Sequence, residues 1–515
     1  MNNLDPVSNP KLDENMERAP LKMSRQFVTG QKGKICNGVS RREFLHLVAV
    51  STVAGMGGRL KACPEQGRRT QGFRDGATPN PTAKRPNIIF IMADDLGYGD
   101  LGCYGQKEIK TPSIDRLAEE GTRFMHCYAG STVCAPSRSV LMTGQHTGHT
   151  RIRGNFGKVG GALVLDNGSP QRRVPLEPED VTVAEVLKQS GYATGITGKW
   201  GLGEPNTTGV PNRQGFDEWF GYLNQRRAHT YYPPYLWRNE EKVTLEGNKN
   251  GQRKQYSHDM FTKFALDYVR RHKSQPFFLY LAYTIPHAKY EIPSTEPYTD
   301  KPWPQDAKVH AAMITRMDAD VGRITALLKE LAVDEQTLVF FCSDNGAAKR
   351  WEGIFDSSGP LRGHKGDLYE GGIRTPMIAR WPDKVPAGKT SDTVWYFADV
   401  LPTLAELAGV KPPDDIDGIS VLPTLLGQRQ KTDDRFLYWE FLGRTLQQAV
   451  RWRNYKALCQ GPGELMELYD LATDIAEKRN IASQHPGVVA RIEQYLRIGR
   501  TESPNWPLKP DKEKG

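Results

Sequence analysis

The sequence predicts an α/β fold: a large, mostly parallel central sheet with helices on both faces, followed by a small C-terminal α+β subdomain with an antiparallel sheet. Three observations lead there. Four short, nearly continuous apolar runs suit strands buried on both faces; segments of helical spacing separate them; and each run ends in polar residues.

The first run is 87–92 (NIIFIM), followed by helical spacing over 113–120. Helical spacing returns over 182–190, before the run 193–197, and over 257–272, before the run 276–283 (PFFLYLAY). The longest helical stretch, 309–331, carries Met313, Met317, Val321, Ile324 and Leu328 on one face and leads into 337–342 (TLVFFC). Between these, 203–255 shows little regular pattern and reads as an elaborated pocket rim. After Asp417-Gly418-Ile419-Ser420-Val421-Leu422 and a polar stretch at 427–434, short strands are expected at 436–440, 447–451, 455–458 and 467–471, with a closing helix at 486–499. The expected organisation is a signal region at 1–63, a linker at 64–85, the main α/β domain at 86–430, the subdomain at 431–505 and a tail at 506–515.

The chain has 515 residues, 25% of them charged and 38% hydrophobic, enough for a large core. Its mean hydropathy is -0.58. No apolar run approaches the roughly 18 residues a membrane span needs, which excludes a transmembrane bundle. The net charge of +9 is unevenly spread: residues 1–85 hold 15 Lys and Arg against 7 Asp and Glu, and the other 430 hold 54 against 53. The body is thus balanced, and nothing in its charge calls for nucleic acid. Seven cysteines, at 36, 63, 103, 127, 134, 342 and 459, are too scattered for a disulfide scaffold or a zinc cluster. The leader Ser40-Arg41-Arg42-Glu43-Phe44-Leu45-His46, with a modestly apolar run to Met56, resembles a twin-arginine export signal. That resemblance implies the twin-arginine export machinery as a partner and a periplasmic or extracellular address. Cys63 follows Leu60-Lys61-Ala62, a degenerate lipobox, so a lipid anchor there is left open.

Ligands of open α/β sheets sit at the carboxyl ends of the strands. There the four runs deliver Asp94-Asp95, Gly198-Lys199-Trp200, Ile285-Pro286-His287 and Ser343-Asp344-Asn345-Gly346. Three carboxylates and an amide are hard oxygen ligands suited to Ca2+ or Mg2+, and Lys199 and His287 suit anion binding and proton transfer. The stretch Cys134-Ala135-Pro136-Ser137-Arg138-Ser139-Val140-Leu141-Met142-Thr143-Gly144 has Pro136 to open a helix and Gly144 to stop it. Cys134 then lies at the helix N-terminus, where an anion is favoured, with Arg138 one turn on.

This stretch, C-x-P-S-R followed by a small apolar turn and T-G, resembles the formylglycine signature of the type I sulfatases, arylsulfatase-like members of the alkaline phosphatase superfamily. The resemblance covers roughly residues 86–500. It implies that Cys134 is oxidised to formylglycine by a maturation enzyme, and that Asp94, Asp95, Asp344 and Asn345 hold Ca2+ beside residue 134. It further implies that Arg138 orients the hydrate, and that Lys199 and Lys365, the latter in G-H-K-G-D-L-Y-E-G-G, bind sulfate oxygens. His287 would hold the bridging oxygen and help protonate the leaving alcohol. The expected activity is hydrolysis of sulfate esters, with sulfated carbohydrates as the substrate class. Phosphonate monoester or phosphodiester hydrolysis and non-catalytic glycan binding are the alternatives.

One position departs from the family pattern. The family reads G-K-W-H-L-G, and this chain has Gly201 where that histidine stands. His146 and His149, in Gly-Gln-His-Thr-Gly-His-Thr, are candidates to replace it. For the sugar, Trp200, Arg151, Arg153 and Asn155 and the cluster Tyr231-Tyr232-Pro233-Pro234-Tyr235-Leu236-Trp237 are candidate pocket linings, since aromatic faces stack on sugars and arginines suit anions.

Overall fold

The computed structural model describes residues 85–157, 162–166, 169–443 and 445–508. The leader motif, Cys63, nearly all of the linker at 64–85 and the end of the tail lie outside them. Among the described residues no helix is long and apolar enough to cross a membrane.

All four apolar runs form strands: β1 (Asn87–Ala93), β2 (Ala193–Lys199), β3 (Phe277–Ala282) and β4 (Thr337–Ser343). They lie parallel in the order β4-β1-β3-β2 at the centre of a ten-stranded sheet. Alternate residues of β1 feed two cores: Ile88, Phe90 and Met92 on one face, Ile89, Ile91 and Ala93 on the other. The first core takes in Val183 and Leu187 from the helix Val183–Gln189 and Leu401 and Leu404 from the helix Val400–Ala408. The second takes in the helices Pro112–Glu119, Ser257–His272 and Gln305–Glu330. In the last of these, Met313, Met317, Val321, Ile324 and Leu328 are all buried, as their spacing predicts. This helix starts at Gln305, ahead of its apolar signal, because Gln305 and Asp306 carry no periodicity, and Asp306 suits the first turn through the helix dipole.

Strand register sets the site. Met92 stands opposite Cys342 and Ala282, and Gly198 opposite Ala282, so Asp94, Lys199 and Asp344 leave the sheet within one residue of the same level. Two glycines make this pairing possible. A Cβ on Gly198, whose φ is +106°, would lie 1.9 Å from the Ala282 carbonyl oxygen, and one on Gly221 would lie 1.9 Å from that of Gly198.

The segment 203–255 is more regular than its sequence suggests. Glu218–Tyr222 adds to β2 in parallel, and Tyr235–Arg238 and Glu241–Thr244 continue the sheet antiparallel. These strands are too short, and the outer two too exposed, to leave a hydrophobic pattern.

The C-terminal strands Phe436–Leu442, Leu446–Trp452, Tyr455–Cys459 and Glu467–Asp470 form an antiparallel meander. One face packs with the helix Pro486–Leu496 through Tyr438, Val450, Ala457, Leu468 and Ile492. The other, with Leu437, Trp439, Ala449, Leu458 and Tyr469, belongs to the first core of the main sheet. Trp439 Nε1 donates to the Ala129 carbonyl at 2.8 Å, and fully buried Lys456 pairs with Glu370 at 2.9 Å and Glu477 at 3.1 Å.

Gly198→Ala is expected to destabilise the protein by about 2–4 kcal/mol, through left-handed strain plus the clash. Gly105→Ala also sits at positive φ, but nothing lies within 4 Å of its Cβ, and it should cost only about 1 kcal/mol. Urea denaturation of the two variants checks the difference; equal losses would mean the Gly198 contact is not the constraint.

Candidate active site

Six charged groups from distant parts of the chain meet at the carboxyl ends of β1, β2 and β4. Asp94 Oδ2 accepts from Lys199 Nζ at 2.7 Å, and Asp95 accepts from Lys365 Nζ at 2.7 Å and from Asn345 Nδ2 at 2.8 Å. Asp344 Oδ2 takes both Nε and Nη2 of Arg138, at 3.0 and 2.8 Å, while Arg138 Nη1 donates to the Lys199 carbonyl at 2.9 Å. Burial raises the Asp94 carboxyl, but the charges of Lys199, Arg138 and Lys365, joined by His287 when it is protonated, outweigh it and hold Asp94 well below the usual carboxylate range. At Asp344 burial and the neighbouring Asp94 prevail over Arg138, and its carboxyl is pushed up to about 6.

Cys134 opens the helix Cys134–Thr143, every residue of which is buried. Gly144, at φ +69°, closes it with its N–H on the Val140 carbonyl. Val133 provides no side-chain cap; instead Asn155 Oδ1 accepts from Ala135 N at 2.9 Å, meeting one orphan donor of the first turn. Ser137 Oγ donates to the Asp344 carbonyl at 2.5 Å, fixing the helix to the end of β4. Gly366 N donates to Thr132 Oγ1 at 2.8 Å and so brings the Lys365 loop to the same place. The Cys134 thiol donates to Asp94 Oδ1 at 3.3 Å and lies 3.6 Å from Lys365 Nζ. Burial, then Asp344 and Asp94, push this thiol far above its ordinary range, so it is no thiolate nucleophile.

His287 completes the group. Its Nδ1 faces the Ala288 carbonyl, which can only accept, so Nδ1 carries the proton and Nε2 accepts from Lys365 Nζ at 3.1 Å. Burial lowers its pKa against the pull of Asp95, and the ring is neutral at pH 7. Tyr231 Oη reaches the carbonyls of Thr284 and His287, each at 2.7 Å, and holds the turn that carries His287.

The residues fit a hard divalent cation. Asp94, Asp95 and Asp344 are buried side by side, and buried Asn345 Oδ1 meets no donor among the described residues although its Nδ2 is engaged. An amide oxygen left unpaired beside three carboxylates is the donor set that Ca2+ takes. Asp94, Asp95, Cys134 and His287 also bring ligand atoms within 4.8 Å of one another.

Other candidates lie elsewhere. His146 and His149 are beyond the far end of the Cys134 helix, about 15 Å along its axis. Their rings stack at 4.2 Å and face Asp417, with His149 Nδ1 at 2.8 Å and His146 Nε2 at 3.6 Å. They therefore do not replace the missing histidine beside Gly201. Trp200 is 1% exposed, packed on Phe216 with its indole N–H on the Gly209 carbonyl; it is core, because its alternation places it under the rim rather than on it. Arg153 is buried against Glu440 at 3.3 Å, tying in the C-terminal sheet, and Arg151 pairs with Asp180. Asn155 supports the Cys134 helix, as described above. Of the aromatic cluster, Tyr231 is buried, whereas Tyr235 and Trp237 line a cavity of about 310 Å³. Asn224, Arg226, Arg227 and Lys289 share that lining, and so does His287. His229, which sequence patterning did not single out, also lines it and stacks on His287 at 3.8 Å.

Comparison with known proteins gives the family. The family description Sulfatase matches residues 86–410, and that of N-sulphoglucosamine sulphohydrolase, C-terminal, matches residues 364–500. The chain is 35% identical to N-acetylgalactosamine-6-sulfatase of Canis lupus familiaris, over 85% of this chain and 83% of that protein. It is 32% identical to arylsulfatase A of Homo sapiens, over 81% of this chain and 87% of that protein. Among solved structures, Ps i-CgsB in complex with k-i-k-neocarrahexaose superposes with a TM-score of 0.72 at 29% identity, covering 83% of this chain and 95% of that one. The chain belongs to the sulfatase family of the alkaline phosphatase superfamily and is a sulfuric ester hydrolase.

Proposed function

We propose that this enzyme hydrolyses sulfate esters of carbohydrates at the site around Cys134, with residue 134 in its formylglycine form and Ca2+ held by Asp94, Asp95, Asp344 and Asn345. The observation that carries the reading is the convergence of Cys134 with Asp94 and Lys365, at 3.3 and 3.6 Å, in surroundings that disfavour a thiolate. Oxidation of Cys134 by a maturation enzyme supplies an aldehyde whose hydrate offers an oxygen nucleophile in place of the inert thiol. The ion supplies charge for the sulfate oxygens and relieves the repulsion among the carboxylates.

The chain's own residues do the rest. Three carboxylates face three cations, Arg138, Lys199 and Lys365, so a bound divalent cation leaves the pocket net positive and attractive to a sulfate monoester. Lys199 and Lys365 hold the non-bridging oxygens, and Arg138 fixes the first turn of the Cys134 helix through Asp344. His287, neutral and with Nε2 toward Lys365, shares with that lysine the proton that goes to the departing alcohol oxygen. The cavity beside His287 supports a sugar: Tyr235 and Trp237 offer stacking faces, and Arg226, Arg227 and Lys289 suit acidic substituents. The names of the relatives favour the same class, one an N-acetylgalactosamine sulfatase and one solved with an oligosaccharide. Export through a twin-arginine route, to a periplasmic or extracellular place of work, belongs to the same proposal.

Cys134→Ala protein, folded as judged by its melting curve, is expected to lose turnover of 4-nitrocatechol sulfate by about 10⁴-fold or more; full activity would refute the nucleophile. His287→Ala should lower kcat by about 10²–10³-fold, with a smaller loss for aryl leaving groups, which need little proton assistance, than for sugar sulfates. Chelation with EGTA should lower the melting temperature by about 5 °C and abolish turnover, with Ca2+ restoring both better than Mg2+ does. An unchanged melting temperature and rate would remove the metal from the reading. A matured enzyme that turns over phenyl phosphonate esters but no sulfated sugar would shift the assignment to phosphonate hydrolysis.

A further inference from the structure

Position 201 is where this chain departs from its family, and the structure shows what stands there. Gly201 adopts φ +79°, and a Cβ built on it would lie 2.1 Å from Gln225 Nε2 and 2.6 Å from Gln225 Cδ. The Gln225 carboxamide thus occupies the space that any side chain at 201 would need. Backbone pairing brings the two together: Trp200 N donates to the Tyr222 carbonyl and Gly201 N to that of Leu223, so the segment leaving Lys199 runs beside the one that turns at Asn224 and Gln225.

Gln225 is 4% exposed, and neither its Nε2 nor its Oε1 meets a partner among the described residues. Its neighbour Asn224 is engaged on both sides, by Glu204 at 2.8 Å and by Arg226 N at 2.9 Å. A buried amide with both ends unmade is costly to keep, and such a group in a native structure calls for something that uses it. Asn224 and Arg226, on either side of Gln225 in sequence, line the cavity that His287 also lines, and Gln225 itself is not part of that lining.

We propose that Gln225 is a substrate-contacting residue that stands in for the family's histidine at position 201, its carboxamide hydrogen-bonding the bound sulfate group from the Lys199 side. The inference rests on the sulfate site proposed above, and it explains why Gly201 is tolerated: the missing side chain makes room for another, from the turn after the neighbouring strand Glu218–Tyr222. Unlike an imidazole, the amide holds the sulfate without accepting a proton from it.

The test uses Ca2+-loaded Cys134→Ala protein, which binds without turnover, and inorganic sulfate as the probe, with affinity read by calorimetry. Gln225→Met preserves volume and removes the hydrogen bonds, Gln225→Glu adds a repelling charge, and Gly201→Ala drives a methyl into the amide. The methionine and alanine variants should each weaken sulfate binding about five- to twentyfold, and the glutamate variant more, with a near-parental melting temperature for Gln225→Met. Combining Gly201→Ala with Gln225→Met should cost no more than either alone. Unchanged affinity in Gln225→Met overturns the proposal even if the other variants misfold. Failure of the parent Cys134→Ala protein to bind sulfate at all would instead overturn the sulfate site itself, and this inference with it.

Discussion

Three carboxylates buried side by side repel one another, and much of this fold is organised around keeping them there. Asp94, Asp95 and Asp344 come from the ends of neighbouring strands and are all buried. Each is met by a different cation: Lys199 from two strands away, Lys365 from a loop after β4, and Arg138 from the helix that begins at Cys134. Removing one cation would leave a buried charge uncompensated, a loss of about 3–5 kcal/mol by the usual cost of a broken buried pair. The cations are thus structural before they are chemical. Their orientation for a substrate anion is set by the need to hold the carboxylates.

The same economy links the C-terminal sheet to the site. Its inner face completes the main core through Trp439, and Lys456 reaches across to Glu370, within the G-H-K-G-D-L-Y-E-G-G stretch that carries Lys365. Arg153, two residues from Asn155, pairs with Glu440 of that sheet. Strands some 300 residues from Cys134 therefore brace two of the loops around it, and the meander acts as a buttress rather than as an appendage.

Much of the fold was legible from hydrophobic runs, because strands buried on both faces of a parallel sheet have nowhere to hide their pattern. The four central strands and the helix containing Met313 to Leu328 are clear cases. The rim strands Tyr235–Arg238 and Glu241–Thr244 were not legible, since a half-exposed strand of four residues has little periodicity to show. At the site, residues within the strand-end motifs could be named from sequence because register alone brings them together. Those that reach the pocket from a turn could not. His229 lies in an irregular stretch, with no spacing to mark it, and its place appears only in the cavity it lines and in its stacking on His287. Conversely, proximity in sequence misled at His146 and His149: a helix of ten residues carries the chain away from its own N-terminus as effectively as a loop does. Trp200, one residue from Lys199, follows the strand's last residue and packs into the first core.

The burial of the whole Cys134–Thr143 helix has a consequence for timing. No residue in it offers more than a few per cent of its surface, and Cys134 itself shows 1%. An enzyme that must grip this segment and oxidise the sulfur cannot do so once the sheet, the Lys365 loop and the C-terminal buttress have closed over it. For the oxidation proposed above, the window is the nascent or unfolded chain. A leader of the kind that residues 40–56 resemble carries folded cargo, which would fix the order of events as oxidation, folding and then departure from the compartment of synthesis.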